Sequence, residues 1–437
     1  MRLDAPLVGW FHLSDEETAR ARDFLRRCNG EDAVDELGFG ILRDGFSDQF
    51  YPGTSTVMTQ PRYLLFIPAI YRFMERTLER RKGAIEDLLR RSREMQDQLR
   101  DVLADTYGHK RGHGVIGISA REPERYPSAI YWASLRTLGI FRRPGMIEGD
   151  YLRSLGNHYE ASRSDSNNGD PVAEVAASAP AWDRNFPYQE NGEPVQDARG
   201  HFVEGIGFEL LPEEATYLAD CYLRPDTRDQ RATALEKSLL ASLIERRRKT
   251  SFAFPWDVKP PPHLEQSVDD AKHFSLLARG ATLQYYFWLI DARRKQGWEV
   301  PDADIESWFA LWWDEGRPQL LDWPEDEFLL RRARDVRPAR KDATFLRDWL
   351  RHCRDARTAG SFLRDEASRA LIVERERICK PRKARLTHHK HLETWNRVLP
   401  ESKRIYQLDF RTSIGSVFVQ RIVSGLGDAD SARASAR

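Results

Sequence analysis

Residues 84–107 read AIEDLLRRSREMQDQLRDVLADTY, and the placing of the apolar residues in this stretch sets the fold class. Leu88, Leu89, Met95, Leu99 and Leu103 recur at helical spacing, so one side of a helix is apolar and the other charged. Glu86 with Arg90, and Asp87 with Arg91, stand four residues apart, where opposite charges on one helix support each other. This charge run reads as a solvated face rather than a binding site.

The same period extends in both directions. Upstream, Phe39, Leu42, Phe46 and Phe50 share one face, and Tyr51-Pro52-Gly53 stops the helix. Thr59 and Pro61 open the next one, with Leu64, Ile67, Ile70, Tyr71, Met74 and Leu78 toward a core and a bend expected at Pro68. Ser14 and Glu17 form a capping box for a first helix that ends near Asn29-Gly30. Downstream, helices are predicted over 128–138, 150–159, 212–223, 227–248, 263–295, 304–313, 342–354, 358–378 and 412–424. Strand-like alternation is confined to 201–210, and no repeat of fixed period is present. The expected fold is mainly α, a multi-helix globular protein with little or no β-structure.

With 437 residues, 41% hydrophobic and 11% aromatic, the chain has the material for a large core, which excludes a collagen, a disulfide scaffold and wholesale disorder. Its 68 Lys+Arg balance 68 Asp+Glu, which argues against a uniformly basic nucleic-acid coat, and mean hydropathy is −0.63. Length suggests two or three units. Residues 161–180, ASRSDSNNGDPVAEVAASAP, hold no aromatic residue and read as a linker or surface loop. The expected organisation is a helical domain over 1–160, a flexible stretch over 161–200, a helical domain over 201–425 and a disordered tail over 426–437. Pro255 and Pro260 to Pro262 offer a second hinge. Cys28, Cys221, Cys353 and Cys379 lie far apart, so reduced thiols are expected rather than a disulfide framework or zinc ribbon. The N-terminal MRLDAPLVGWFHL is interrupted by Asp4 and His12, and no apolar run approaches the ~20 residues of a bilayer crossing. A cytoplasmic protein with no membrane partner is the expectation.

Familiar catalytic motifs are incomplete. Gly112-His113-Gly114-Val115-Ile116-Gly117 matches G-x-G-x-x-G, but a charged helix precedes it and Pro123 and Pro127 follow, which is not the strand–turn–helix a dinucleotide needs. A phosphate held by backbone amides beside His109, Lys110, Arg111 and His113 is the weaker version, against a plain solvated connector. Gly53-Thr54-Ser55-Thr56 lacks the lysine of a Walker A loop. Asp44 and Asp48 share a helix face and, with Thr54, Thr56 and Arg62, form a candidate catalytic set for phosphoester or nucleotide chemistry. The alternative is that the two carboxylates pair with Arg43, Arg62 or Arg72. Cys379, His388, His389 and His391 lie close together, but their spacing fits no common zinc site, so no metal and no cofactor are expected.

Charge distribution says more. Residues 331–390 hold nineteen Lys/Arg against eight Asp/Glu, and the helix with Phe345, Leu346, Trp349 and Leu350 inward is expected to project Arg347, Arg351, Arg354 and Arg357 outward. Together with Arg382, Lys383 and Arg385 these make a candidate phosphate-backbone contact for DNA or RNA. Residues 298–328 hold ten Asp/Glu, one Arg and five tryptophans. They are either a partner-docking surface, or Trp308, Trp312 and Trp313 are core anchors of an amphipathic helix. Docking of the acidic on the basic stretch is the competing arrangement, and it weakens the nucleic-acid case.

Leu37-Gly38-Phe39-Gly40-Ile41-Leu42-Arg43-Asp44-Gly45-Phe46-Ser47-Asp48, then Tyr51-Pro52-Gly53-Thr54-Ser55-Thr56 and Arg62-Tyr63-Leu64-Leu65-Phe66-Ile67-Pro68, resemble a bacterial family known only as a domain of unknown function. The likeness extends through Gly114 to Gly117, Ile130-Tyr131-Trp132 and Gln407 to Arg411, with Ala69 standing where the family has Trp. The resemblance implies an accessory protein of phage-defence gene neighbourhoods, beside helicases, nucleases or methyltransferases, and carries over no catalytic residues. The expected function is a non-enzymatic accessory subunit engaging nucleic acid or a nucleoprotein through residues 331–390. The alternatives are an enzyme built on Asp44, Asp48 and Arg62, and a scaffold docking through 298–328.

Overall fold

The computed structural model describes residues 36–78, 85–108, 113–118, 125–143, 145–164, 181–189, 192–225, 232–335, 340–395 and 407–435. Among them are seventeen α-helices and no sheet, so the fold is all-α, as the apolar period predicts. The alternating stretch 201–210 forms no strand. Phe202, Ile206, Phe208 and Leu210 are buried, as alternation requires, but only Gln196 and Phe202 form an isolated bridge there. The Phe202 amide donates instead to the Gln98 side chain at 3.0 Å.

Helix boundaries differ from the periodic reading where a capping side chain intervenes. Of the predicted 227–248 helix, 227–231 lies outside the described residues and the rest holds two helices, Ala232–Glu236 and Leu239–Glu245, because the Ser238 hydroxyl accepts from the Ala241 amide and starts the second. The predicted 358–378 helix is Ala359–Leu363 and Glu366–Cys379, since Asp365 accepts from the Ser368 amide at 2.7 Å. Three short or charged helices, Arg317–Leu320, Glu325–Asp335 and His389–Glu393, add to those expected. The capping-box helix at Ser14 lies outside the described residues.

Two compact units interleave along the chain: Met1–Gly45 with Asp269–Leu408, and Phe46–Val268 with Asp409–Arg437. The chain crosses between units inside the helices Gly40–Phe50 and Glu265–Lys295, not at the polar linkers of the expected chain-order division. Of the supposed flexible stretch, 165–180 lies outside the described residues, while 161–164 closes the helix Glu148–Ser164. Trp182, Phe186, Tyr188 and Val195 from 181–200 are core residues. The tail expected to be disordered largely continues the helix Thr412–Ser435, consistent with the helix-forming Ala429, Ala432 and Ala434.

In the second unit, the helix Tyr63–Leu78 buries nearly its whole first half, with Pro68 inside it. Tyr71, Trp132, Phe141, Tyr151 and Trp182 meet at centroid distances between 4.8 and 6.0 Å. Arg62 is buried beside Glu214 at 2.8 Å, and the Tyr188 hydroxyl and the Leu211 amide also donate to that carboxylate. Such pairing offsets part of the cost of burying the two charges.

The first unit is organised around Asp269 to Lys295 of the long helix. Phe274, Leu277, Ala281, Leu283, Tyr285, Tyr286 and Leu289 are buried on several sides of it, the mark of a central helix. Gly280 admits the Trp312 indole, since a Cβ there would lie 2.2 Å from the ring. Trp312 then donates to the Leu276 carbonyl at 2.8 Å, and Trp349 to the buried Gln284 side chain at 2.9 Å. These bonds let large aromatic residues lie in the core with their indole nitrogens satisfied.

Candidate nucleic-acid interface

The helix Arg340–Asp355 and its neighbours meet carboxylates of their own unit. Arg347 pairs with Asp326, Arg354 with Glu325 at 2.9 Å, Arg364 with Glu306 at 2.6 Å, and Arg331 with Glu327 at 3.4 Å. All four acids come from the acidic segment 298–328. Arg331 also reaches the buried Asp270 at 2.8 Å, while Arg351 pairs with Asp348 within its own helix at 3.1 Å. Exposed pairs of this kind contribute about 0–1 kcal/mol each, too little to hold a helix but enough to cancel its outward field. Arg354 does more: its guanidinium also donates to the Trp323 and Leu320 carbonyls, clamping the turn that carries Glu325.

Arg347, Arg351 and Arg354 are neutralised within the molecule, as is Arg385, described next. Among the described residues Arg357 and Arg382 are exposed without a carboxylate partner, and Lys383 is exposed. The tryptophans of the acidic segment serve the core first. Trp312 and Trp323 are buried, and the half-buried Trp313 is covered by Arg317 at 4.1 Å.

From Arg377 to Leu392 the chain carries no Asp or Glu. The turns following the helix Glu366–Cys379 are held from beneath by two buried carboxylates. Glu376, fully buried, accepts the amides of Arg385 and Leu386 at 2.9 Å each and the Tyr285 hydroxyl at 2.5 Å. Glu36 accepts from Lys380 and from Arg385, the latter at 2.6 Å. Burial by itself lowers the Arg385 pKa, and the facing Tyr285 and Glu36 more than offset it and push it up, so its charge is fixed in place. Lys380 and Arg385 therefore anchor the loop. Arg382, Lys383, His388, His389 and Lys390 stand exposed on its outer side. Next to it, Arg293 ties down the short helix His389–Glu393 by donating to the Leu392 and Glu393 carbonyls. A preformed loop of this kind loses little freedom when an anion binds.

Sequence reasoning missed Glu36, Glu376, Tyr285 and Arg293. Nothing periodic marks them; only the acid-free run was available as a signal.

Within each unit the charged members of the alternative catalytic set have partners of their own. Asp44 pairs with Arg43 at 3.2 Å in the first unit. In the second unit Asp48 pairs with Arg411 at 2.6 Å, Arg411 also donates to the Thr54 carbonyl, and Arg62 serves Glu214 and the Gly207 carbonyl. The Thr54 hydroxyl donates to the Tyr51 carbonyl at 2.6 Å, and Thr56 is exposed. Of the phosphate-loop candidates, His109, Lys110 and Arg111 lie outside the described residues, and His113 stacks on Tyr107 at 6.0 Å. Burial pushes the Cys221 and Cys353 thiols up to about 12, so neither is a nucleophile near neutral pH. Among the described residues no three His, Cys, Asp or Glu groups are placed to hold a metal ion, and no helix is long and apolar enough to cross a membrane.

No curated protein and no solved structure matches the chain. Residues 6–173 match a family of unknown function (DUF6361), to which this part of the chain is similar.

Proposed function

We propose that the chain is a non-enzymatic accessory protein that holds the phosphate backbone of a nucleic acid, alone or within a nucleoprotein, on the acid-free loop 381–391. One observation carries this reading. Arg382 and Lys390 are exposed and without carboxylate partners among the described residues, on a loop that Glu376 and Glu36 hold rigid from the core side. Phosphate contacts need cations whose charge is not already engaged, and the arginines upstream, though charged, are paired with carboxylates of the same chain. An accessory role in bacterial phage defence, beside a helicase, nuclease or methyltransferase, rests on the resemblance of the N-terminal motifs alone.

The test is fluorescence anisotropy with labelled DNA and RNA over a salt series. The double variant Arg382→Glu with Lys390→Glu is expected to lose affinity about 30-fold at low salt, and Arg347→Ala with Arg351→Ala less than about 3-fold. Affinity that ignores the loop variant rejects the reading.

A further inference from the structure

Beside the basic loop lies an aromatic ring that the phosphate contacts do not use. Trp298 follows the end of the long helix, its amide bonded to the Arg293 carbonyl at 3.1 Å. Its indole meets the His389 ring at 4.7 Å and 77°, while the Arg293 guanidinium lies 5.4 Å from its centroid. Arg293 is itself buried, held by the Leu392, Glu393 and Glu299 carbonyls. The indole is thus fixed in orientation yet only half-buried. Exposed Arg294 lies four residues before it, and exposed Lys390 follows the His389 whose ring meets it. Glu299 and Glu393 bound the patch.

A duplex presents phosphates but keeps its bases stacked inside, where no exposed ring can reach them. Single strands present both, and proteins that bind them join a cationic track to aromatic rings on which bases stack. We infer that the occupant of this surface is a single-stranded nucleic acid, its backbone along Arg294, Arg382 and Lys390 and one base against Trp298. This rests on the phosphate-binding reading above and adds to it the choice of strand state.

The experiment titrates labelled oligo(dT), and a duplex of equal length, into the full chain and its variants. Wild type is expected to prefer the single strand. Trp298→Ala is expected to weaken single-strand binding by about 5- to 150-fold, one base stack, and to leave the duplex within about 2-fold, whereas Trp298→Phe retains most of the preference. Thermal melting of each variant separates loss of folding from loss of stacking. Equal weakening of both polymers by Trp298→Ala in a folded variant overturns the inference, as does an unchanged single-strand affinity. If wild type binds both polymers equally and Arg382→Glu with Lys390→Glu abolishes both, the strand choice fails and the phosphate reading stands. If wild type binds neither at low salt, both fail.

Discussion

Two stretches of one basic segment behave in opposite ways. Between Arg331 and Arg369, six of the described arginines (Arg331, Arg347, Arg351, Arg354, Arg364 and Arg369) meet Glu327, Asp326, Asp348, Glu325, Glu306 and Glu366 at ion-pair distance, while Arg357 is exposed without a carboxylate partner among the described residues. The loop 381–391 carries fewer cations: Lys380, just before it, and its deepest cation, Arg385, hold it to Glu36, while Arg382, Lys383 and Lys390 are exposed. Charge counted along a chain is therefore not charge available at a surface. The acidic, Trp-rich segment acts as an internal counterpart to the basic helices, and the proposed binding surface is confined to the part it does not reach.

The contrast breaks most sharply at Glu376. Glu376→Ala removes a fully buried acceptor of three hydrogen bonds and is expected to cost about 3 kcal/mol or more in urea unfolding, with polyanion affinity falling as the loop loosens. Unchanged stability would show that the loop is held by something else. Next in size is the contrast between the loop and helix variants, about 30-fold against less than 3-fold in affinity. Equal losses would mean the paired arginines bind as well as the unpaired ones. The smallest effect sharpens the comparison: Asp326→Asn with Asp348→Asn releases Arg347 and Arg351 from exposed pairs. Stability should shift by less than about 0.5 kcal/mol, while affinity rises about 3-fold and its salt dependence steepens.

Much of the fold is legible in the sequence because helices announce themselves by period. The helix over 212–223 lies where Pro212 and the apolar spacing put it, and Asp304 caps Ile305–Glu315 as its residue type suggests. Breaks were harder to see. Ser238 and Asp365 look like ordinary polar positions on a helix until their side chains are found to hold a new N-terminus. The interleaving of the two units leaves no mark in composition, because the crossings occur inside helices. The candidate site is half legible. Its lack of acids is written in the sequence, but its supports come from Glu36, more than three hundred residues upstream, and from a glutamate embedded in ERERICK. Local pattern carries no information about such distant partners.

The most direct test of the central claim is the slope of log K against log salt for single-strand binding by the full chain. Three or four available cations predict a slope of about −2 to −3. A slope near zero would contradict phosphate binding altogether, and one of about −6 or steeper would require the arginines that the structure pairs internally.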